Sequence, residues 1–169
     1  MIERIAAAGW QNQLGHVDRY RMAAGLLRDG DVVLDAACGV GYGAAVLSEN
    51  HSIEYHGVDR ADCVDAQFAG LGSFVAHDLD LWEPTFEYDV AVCFETLEHL
   101  ADPLRFVAVL KRARRAIAVS VPTVPTKHFN EHHLHDFTVD QISGWLSGYG
   151  DLVVYPQPSE LSHIFIVTK

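Results

Sequence analysis

The chain has 169 residues, 49% of them apolar and 21% charged, which suits one soluble globular domain large enough to bury a core. Twelve basic against 23 acidic side chains give a net charge of −11, which repels polyanions and disfavours binding to nucleic acid through phosphate contacts. Cys38, Cys63 and Cys93 are odd in number and too far apart for a C-x-x-C pair, and no stretch approaches the roughly 20 apolar residues that span a bilayer; a reduced, cytoplasmic setting away from membranes is expected.

In chain order, apolar residues fall at helical spacing around Trp10, Leu14, Val17 and Met22, predicting two helical pieces over residues 2–27. Asp29-Gly30-Asp31 turns the chain into Val32-Val33-Leu34-Asp35-Ala36-Ala37-Cys38-Gly39-Val40-Gly41-Tyr42-Gly43. An apolar run ends there in an acid, passes three glycines at alternating positions and gives way to helix-favouring Ala44-Ala45-Val46-Leu47, so a strand, a tight turn and a helix N-terminus are expected. Glycine lets the backbone take positive φ and lets a ligand lie against the main chain. A helix N-terminus offers unpaired N–H groups to a carboxylate or phosphate. The stretch therefore reads as a nucleotide-cofactor site. Gly39, Gly41 and Ala44 also satisfy the G-x-G-x-x-G/A dinucleotide pattern. Against that reading, the third glycine falls at Gly43, and Asp35 stands where a carboxylate would meet a cationic amine rather than a pyrophosphate.

A second strand over 54–59 ends at Asp59, which lies 24 residues beyond Asp35, close to the roughly 20-residue spacing at which an acid takes a ribose hydroxyl pair. A short helix over 61–69 and a third strand over 73–78 follow, then a fourth strand over 88–94 and the string Glu95-Thr96-Leu97-Glu98-His99. His99 is the first candidate for a general base, because an imidazole takes a proton near neutral pH. Pro103 opens an amphipathic helix carrying Leu104, Phe106, Val107 and Leu110, and Lys111-Arg112-Ala113-Arg114-Arg115 reads as its solvated end. After a fifth strand over 116–121, residues 123–137 carry His128, Glu131, His132, His133, His135 and Asp136 in a polar, proline-marked segment that reads as a loop over the active site. A helix over 140–146 and strands over 152–155 and 164–167 close the chain.

Residues 34–43 resemble the first motif of the class I S-adenosylmethionine-dependent methyltransferases. The resemblance implies an α/β fold, a doubly wound Rossmann-like sheet that is mostly parallel and ends in an antiparallel hairpin within three αβα layers. It implies one methyltransferase domain over 1–169, with a helical cover over 1–28 and the histidine-rich loop over 123–137. S-adenosyl-L-methionine is the implied cofactor. Its methionine end falls near the Arg19-Tyr20 pair, its ribose near Asp59, and its adenine near Asp78 and Leu79. Asp35, Ala37, Gly39, Gly41, Arg60 and Glu95 complete the implied cofactor set, with His99 and His133 as catalytic candidates. The implied reaction moves a methyl group to a hydroxyl or amine of a small-molecule, sugar or glycan acceptor.

Glu95, Glu98 and His99 also resemble the Glu-x-x-Glu-His metal motif of small-RNA 2′-O-methyltransferases, while the same string resembles that of metal-free small-molecule enzymes. Residues 133–138 resemble a segment of bacterial methyltransferases acting on sugars and related metabolites. Together with the charge, this favours a small-molecule or glycan acceptor and assigns no metal ligand. A metal-assisted RNA enzyme, a non-catalytic cofactor-binding subunit and a nicotinamide-dependent dehydrogenase are the alternatives.

Overall fold

The computed structural model describes residues 6–169. Seven strands form one sheet: β1 (Val32–Ala36), β2 (Glu54–Asp59), β3 (Ser73–Ala76), β4 (Val90–Phe94), β5 (Ala116–Pro122), β6 (Asp151–Gln157) and β7 (Ser162–Thr168). Their order is β3-β2-β1-β4-β5-β7-β6. The first five are parallel, and β7 runs antiparallel to both β5 and β6. The direction of winding reverses between β1 and β4, the place where doubly wound sheets open a crevice at their strands' carboxyl ends.

Apolar runs such as Val32-Val33-Leu34 and Ala116-Ile117-Ala118-Val119 form strands because helices cover both faces of the sheet. Successive residues point to opposite faces, and the two cores follow that alternation. Leu34, Ala91, Cys93, Ile117, Val119 and Phe165 pack with α3 (Pro103–Leu110) and α4 (Val139–Leu146), through Phe106, Leu110, Ile142 and Leu146. Val33, Val90, Val92, Ala118 and Ile164 pack with α1 (Leu14–Ala24) and α2 (Tyr42–Leu47), through Val17, Ala23, Ala44 and Leu47. The helix starts are capped from the sequence: Asp102 accepts from the Arg105 N–H at 3.0 Å ahead of Pro103, and Thr138 accepts from the Gln141 N–H at 3.1 Å.

Three expectations change. Residues 61–69 form no helix; the segment is bends and turns, with a 3-10 turn at Ala69–Leu71. The Asp65 N–H donates to Val40 O at 3.0 Å, the Asp65 carboxylate accepts from Gln67 N–H, and the Cys63 thiol reaches Gly39 O at 3.1 Å. These bonds to the glycine loop and to a local turn compete with a helical ladder. Of the two N-terminal helical pieces, the second is α1 and the first is a 3-10 turn at Trp10–Asn12; residues 2–5 of that prediction lie outside the described residues. The basic run is not simply a solvated helix end. Arg114 pairs with Asp89 at 2.9 Å and Arg115 with Asp31, at the amino ends of the strands and away from the crevice. Among the described residues, no helix is long and apolar enough to cross a membrane.

Candidate active site

The carboxyl ends of β1, β2 and β4 open into a cavity of about 840 Å³. Among the described residues, three non-glycine residues have left-handed backbones, Ala37 (φ 65°), Glu95 (φ 48°) and Leu161 (φ 58°), and all three line this cavity. Such backbone costs about 1–3 kcal/mol per residue and collects at functional sites.

One half of the cavity is built on the glycine loop. Gly39 (φ 57°) has nothing within 4 Å of where a Cβ would sit, so its backbone lies open, and its N–H donates to Asp59 Oδ2 at 2.9 Å. Asp59 is 8% exposed and lines the same wall with Ala37 and Arg60. Arg60 reaches Asp78 Oδ2 at 3.4 Å, and Asp78 Oδ1 accepts from the Asp80 N–H at 3.1 Å. Asp78 is thus both a turn cap and a cavity residue, beside buried Leu79. Tyr20 and Glu95 complete the expected residues that reach the cavity.

Asp35 and Gly41 do not line it. Gly41 (φ 93°) caps α2, and a Cβ there would press on Phe74 and Phe68 at 3.2 and 3.3 Å. The Asp35 carboxyl is fully buried and accepts from the Tyr55 hydroxyl at 2.5 Å and the Tyr20 hydroxyl at 3.0 Å. Where a cationic amine was expected, two phenols stand instead, and one of them, Tyr20, lines the cavity and links Asp35 to it. Burial pushes its pKa up to about 7, the two phenol hydrogen bonds pull it down, and the Asp59 charge pushes it up. Burial likewise raises the Tyr20 phenol. The third glycine now has a reason: a Cβ on Gly43 would lie 2.6 Å from Asp35 Oδ2 and 2.4 Å from Tyr20 Cε1.

The other half is built on the turn after β4 and on the histidine loop. His99 Nδ1 lies 3.0 Å from His132 O, and a carbonyl only accepts, so Nδ1 carries the proton and Nε2 of the neutral ring carries the lone pair. His133 lies beside it, with ring centroids 4.8 Å apart, and its Nδ1 is 2.6 Å from Thr126 Oγ1. Backbone bonds from Leu134 N–H to Glu98 O at 2.7 Å, and from Thr126 N–H to Asp136 Oδ1 at 2.7 Å, tie the loop down. The Thr126 and Lys127 N–H groups hold the Asp136 carboxyl below its ordinary value. His135 is occupied elsewhere: its Nε2 donates to Leu100 O at 2.9 Å and its ring stacks on Phe137. Glu98, 1% exposed, stands next to His99, with Oε1 4.0 Å from His99 Nε2. No metal ligand was expected from the sequence, yet Glu98, His99 and His133 each bring one ligand-type atom to within 4.8 Å of the others.

A family model described as a methyltransferase domain matches residues 10–164. The chain belongs to the class I S-adenosylmethionine-dependent methyltransferase family. Two Mycobacterium tuberculosis sequences, both described as probable S-adenosylmethionine-dependent methyltransferases, are 26% identical to this methyltransferase domain over 137 residues. The match covers 72% of the chain and 50% of each relative, so the chain spans about half the length of the curated relatives it matches. The fold is shared with magnesium protoporphyrin IX methyltransferase of Synechocystis bound to S-adenosylhomocysteine, at TM-score 0.67 and 16% identity over 100% of this chain and 90% of that one. It is shared too with the 1,6-didemethyltoxoflavin-N1-methyltransferase of Burkholderia thailandensis, at TM-score 0.64 and 18% identity over 99% and 93%.

The methyltransferase domain also holds two serines that the sequence did not single out, and they meet the expected Arg19 around Glu95. Ser120 and Ser162 donate to the two Glu95 carboxylate oxygens at 2.8 and 2.9 Å. Arg19, 1% exposed, has Nη2 3.6 Å from Glu95 Oε1 and donates through Nε to Gln157 at 2.7 Å. Burial raises the Glu95 pKa, while Arg19 and the two serines oppose the rise. One signal was available: Ser120 is a lone hydroxyl in the apolar strand Ala-Ile-Ala-Val-Ser-Val, and a buried hydroxyl there needs a partner.

Proposed function

We propose that this domain moves a methyl group from S-adenosylmethionine to a hydroxyl or amine of a small-molecule or sugar-type acceptor that carries no large negative charge. One observation carries the reading: a single cavity runs from Gly39 and Asp59 to His99 and His133. Its volume, about 840 Å³, lies in the range of small-molecule sites and can take a nucleoside and a modest acceptor together. The residues fit the cofactor. Gly39 leaves backbone open where a nucleoside would lie, Asp59 would take the ribose hydroxyls, Asp78 and Leu79 would hold the adenine, and Tyr20 would close the methionine end.

When bound, the cofactor supplies a sulfonium methyl that an acceptor nucleophile displaces in line, leaving S-adenosylhomocysteine. The protein's part is alignment, and holding two reactants in line contributes about 7–11 kcal/mol. Among the described residues that line the cavity, Asp59, Asp78, Asp80, Glu95, Glu98, Glu131 and Glu160 face one cation of fixed charge, Arg60. That field favours a cationic methyl donor and repels polyanionic acceptors. His99, with Nε2 as its lone-pair nitrogen, takes the proton of a hydroxyl acceptor, a role worth roughly 100- to 10,000-fold.

Incubating the full chain with methyl-labelled S-adenosylmethionine and panels of sugars, phenols, amines and short RNAs tests the acceptor class. Label in neutral or cationic small molecules is the expected result. Label confined to RNA or to other polyanions overturns it.

A further inference from the structure

In the cofactor half, the apolar lining residues Cys38, Tyr42 and Leu79 are buried. The acceptor half adds three large apolar residues that stand exposed: Phe129 at 62%, Leu134 at 48% and Leu161 at 47%. Phe129 and Leu134 belong to the histidine loop. Leu161 lies in the turn between β6 and β7, and its carbonyl accepts from the Thr123 N–H, at the start of that loop, at 3.1 Å. A single exposed leucine is ordinary on a protein surface, but Leu161 is not. Its backbone is left-handed (φ 58°), a conformation that glycine takes without strain and a side chain does not. Half exposed, it gains too little from core packing to explain a leucine in that place. What it has instead is a position on the cavity wall, and strained backbone of this kind collects at ligand sites. Backbone bonds fix the other two. The Phe129 N–H donates to Thr126 O at 3.1 Å and its ring stands edge-on to His128, while the Leu134 N–H donates to Glu98 O at 2.7 Å, on the turn that carries His99. The remaining rim repels anions: Glu131 and Glu160 line it, and Arg60 stands in the cofactor half.

We propose that Phe129, Leu134 and Leu161 form an apolar clamp for the body of the acceptor, an amphiphilic alcohol or amine with an aryl or alkyl body and no anionic group. The inference rests on the methyl-transfer reading and deepens it by selecting apolar-bodied acceptors over free sugars. The nucleophilic oxygen or nitrogen lies at His99, and the body lies back against the three side chains, which leave water as it binds. The clamp is continuous with the cavity that holds the reacting groups, which favours one small molecule reaching from the one to the other over a partner that covers the surface alone. The acidic rim and the net charge of −11 argue against an anionic lipid surface as the occupant.

Matched acceptors separate the body from the nucleophile. The full chain with methyl-labelled S-adenosylmethionine is assayed on phenol against naphthol, on ethylamine against octylamine, and on glucose, and naphthol binding is followed by its own fluorescence in the presence of S-adenosylhomocysteine. The expected result is a kcat/KM that rises with the apolar body, in the aryl pair or the alkyl pair, and is lowest for glucose. That preference should fall about tenfold or more in Phe129→Ala, Leu134→Ala and Leu161→Gly, with S-adenosylhomocysteine affinity unchanged. It should hold in Leu81→Ala and Leu104→Ala, exposed leucines outside the cavity. Leu161→Gly should also melt no lower than the parent, because glycine relieves the left-handed backbone; a leucine kept for stability alone would give a lower melting temperature and an unchanged preference. Glucose methylated as well as the larger acceptors overturns the proposal. So does equal naphthol binding by the parent and the Phe129→Ala/Leu134→Ala double variant, and self-association of the parent that the double variant loses would then give the rim to a second copy of the chain. Naphthol held through the three side chains, with no label passed to any acceptor, overturns the methyl-transfer reading and leaves the apolar site standing.

Discussion

The two halves of the cavity are built by different means. In the cofactor half, backbone sets the geometry: Gly39 and Gly41 take left-handed turns, Ala37 is forced into one, and Asp59 is fixed by a main-chain N–H. In the acceptor half, side chains from distant parts of the chain do it: Thr126 to His133, Asp136 to the Thr126 N–H, Glu98 beside His99. Backbone geometry at a strand end belongs to the fold, whereas a side-chain cluster on a loop can be changed without disturbing the sheet. Variants in the first half should therefore cost cofactor binding and stability together, and variants in the second should cost turnover alone.

Asp35 gives the largest test of that difference. Its folded pKa, about 7, lies above the ordinary 3.8, so the folded state holds a proton there that the unfolded state releases. The associated stability is fully present below about pH 4 and is lost as pH rises through 7, a change on the order of 4 kcal/mol. Urea unfolding from pH 4 to 8 should show Asp35→Asn gaining on the parent by that order across the window. Parallel curves would mean that the carboxyl is ionised in the fold.

Next in size, His99→Ala and His133→Ala should each lower turnover by about 100-fold or more in steady-state assays, with S-adenosylhomocysteine affinity within about twofold of the parent. An equal loss of cofactor affinity would break the division into halves. Gly43→Ala should destabilise the fold by about 1–3 kcal/mol in urea melts, because its methyl enters the space of Asp35 and Tyr20. Ser120→Ala, which strips one donor from half-buried Glu95, should cost about 1 kcal/mol and leave turnover nearly unchanged.

The same contrast governs what could be read from the sequence. The strand over 54–59 matched its observed bounds and the helix at Pro103 stands where expected, because period, caps and punctuation are local signals. The glycine loop was legible for the same reason. The partners of Asp35 were not, since Tyr55 meets it only after β1 and β2 pair, with Val33 opposite Tyr55 in the register. Residues 61–69 failed because their bonding groups serve the glycine loop across space. The polar, proline-marked character of residues 123–137 placed that loop over the active site, but its backbone tie to the turn after β4, through Leu134 N–H to Glu98 O, is a contact across space that no local signal carries. Ser120 and Ser162 reach Glu95 from separate strands, a meeting that only the β5–β7 pairing creates.

The most direct test of a cofactor site on the glycine loop is calorimetric titration of the full chain with S-adenosylhomocysteine, beside Asp59→Ala. Binding at a single site in the parent, weakened by about tenfold to 100-fold in the variant, is the predicted result, since the variant removes a charged hydrogen-bond acceptor worth about 1.5–3 kcal/mol. Equal binding by both proteins, or none by a folded parent, would contradict it.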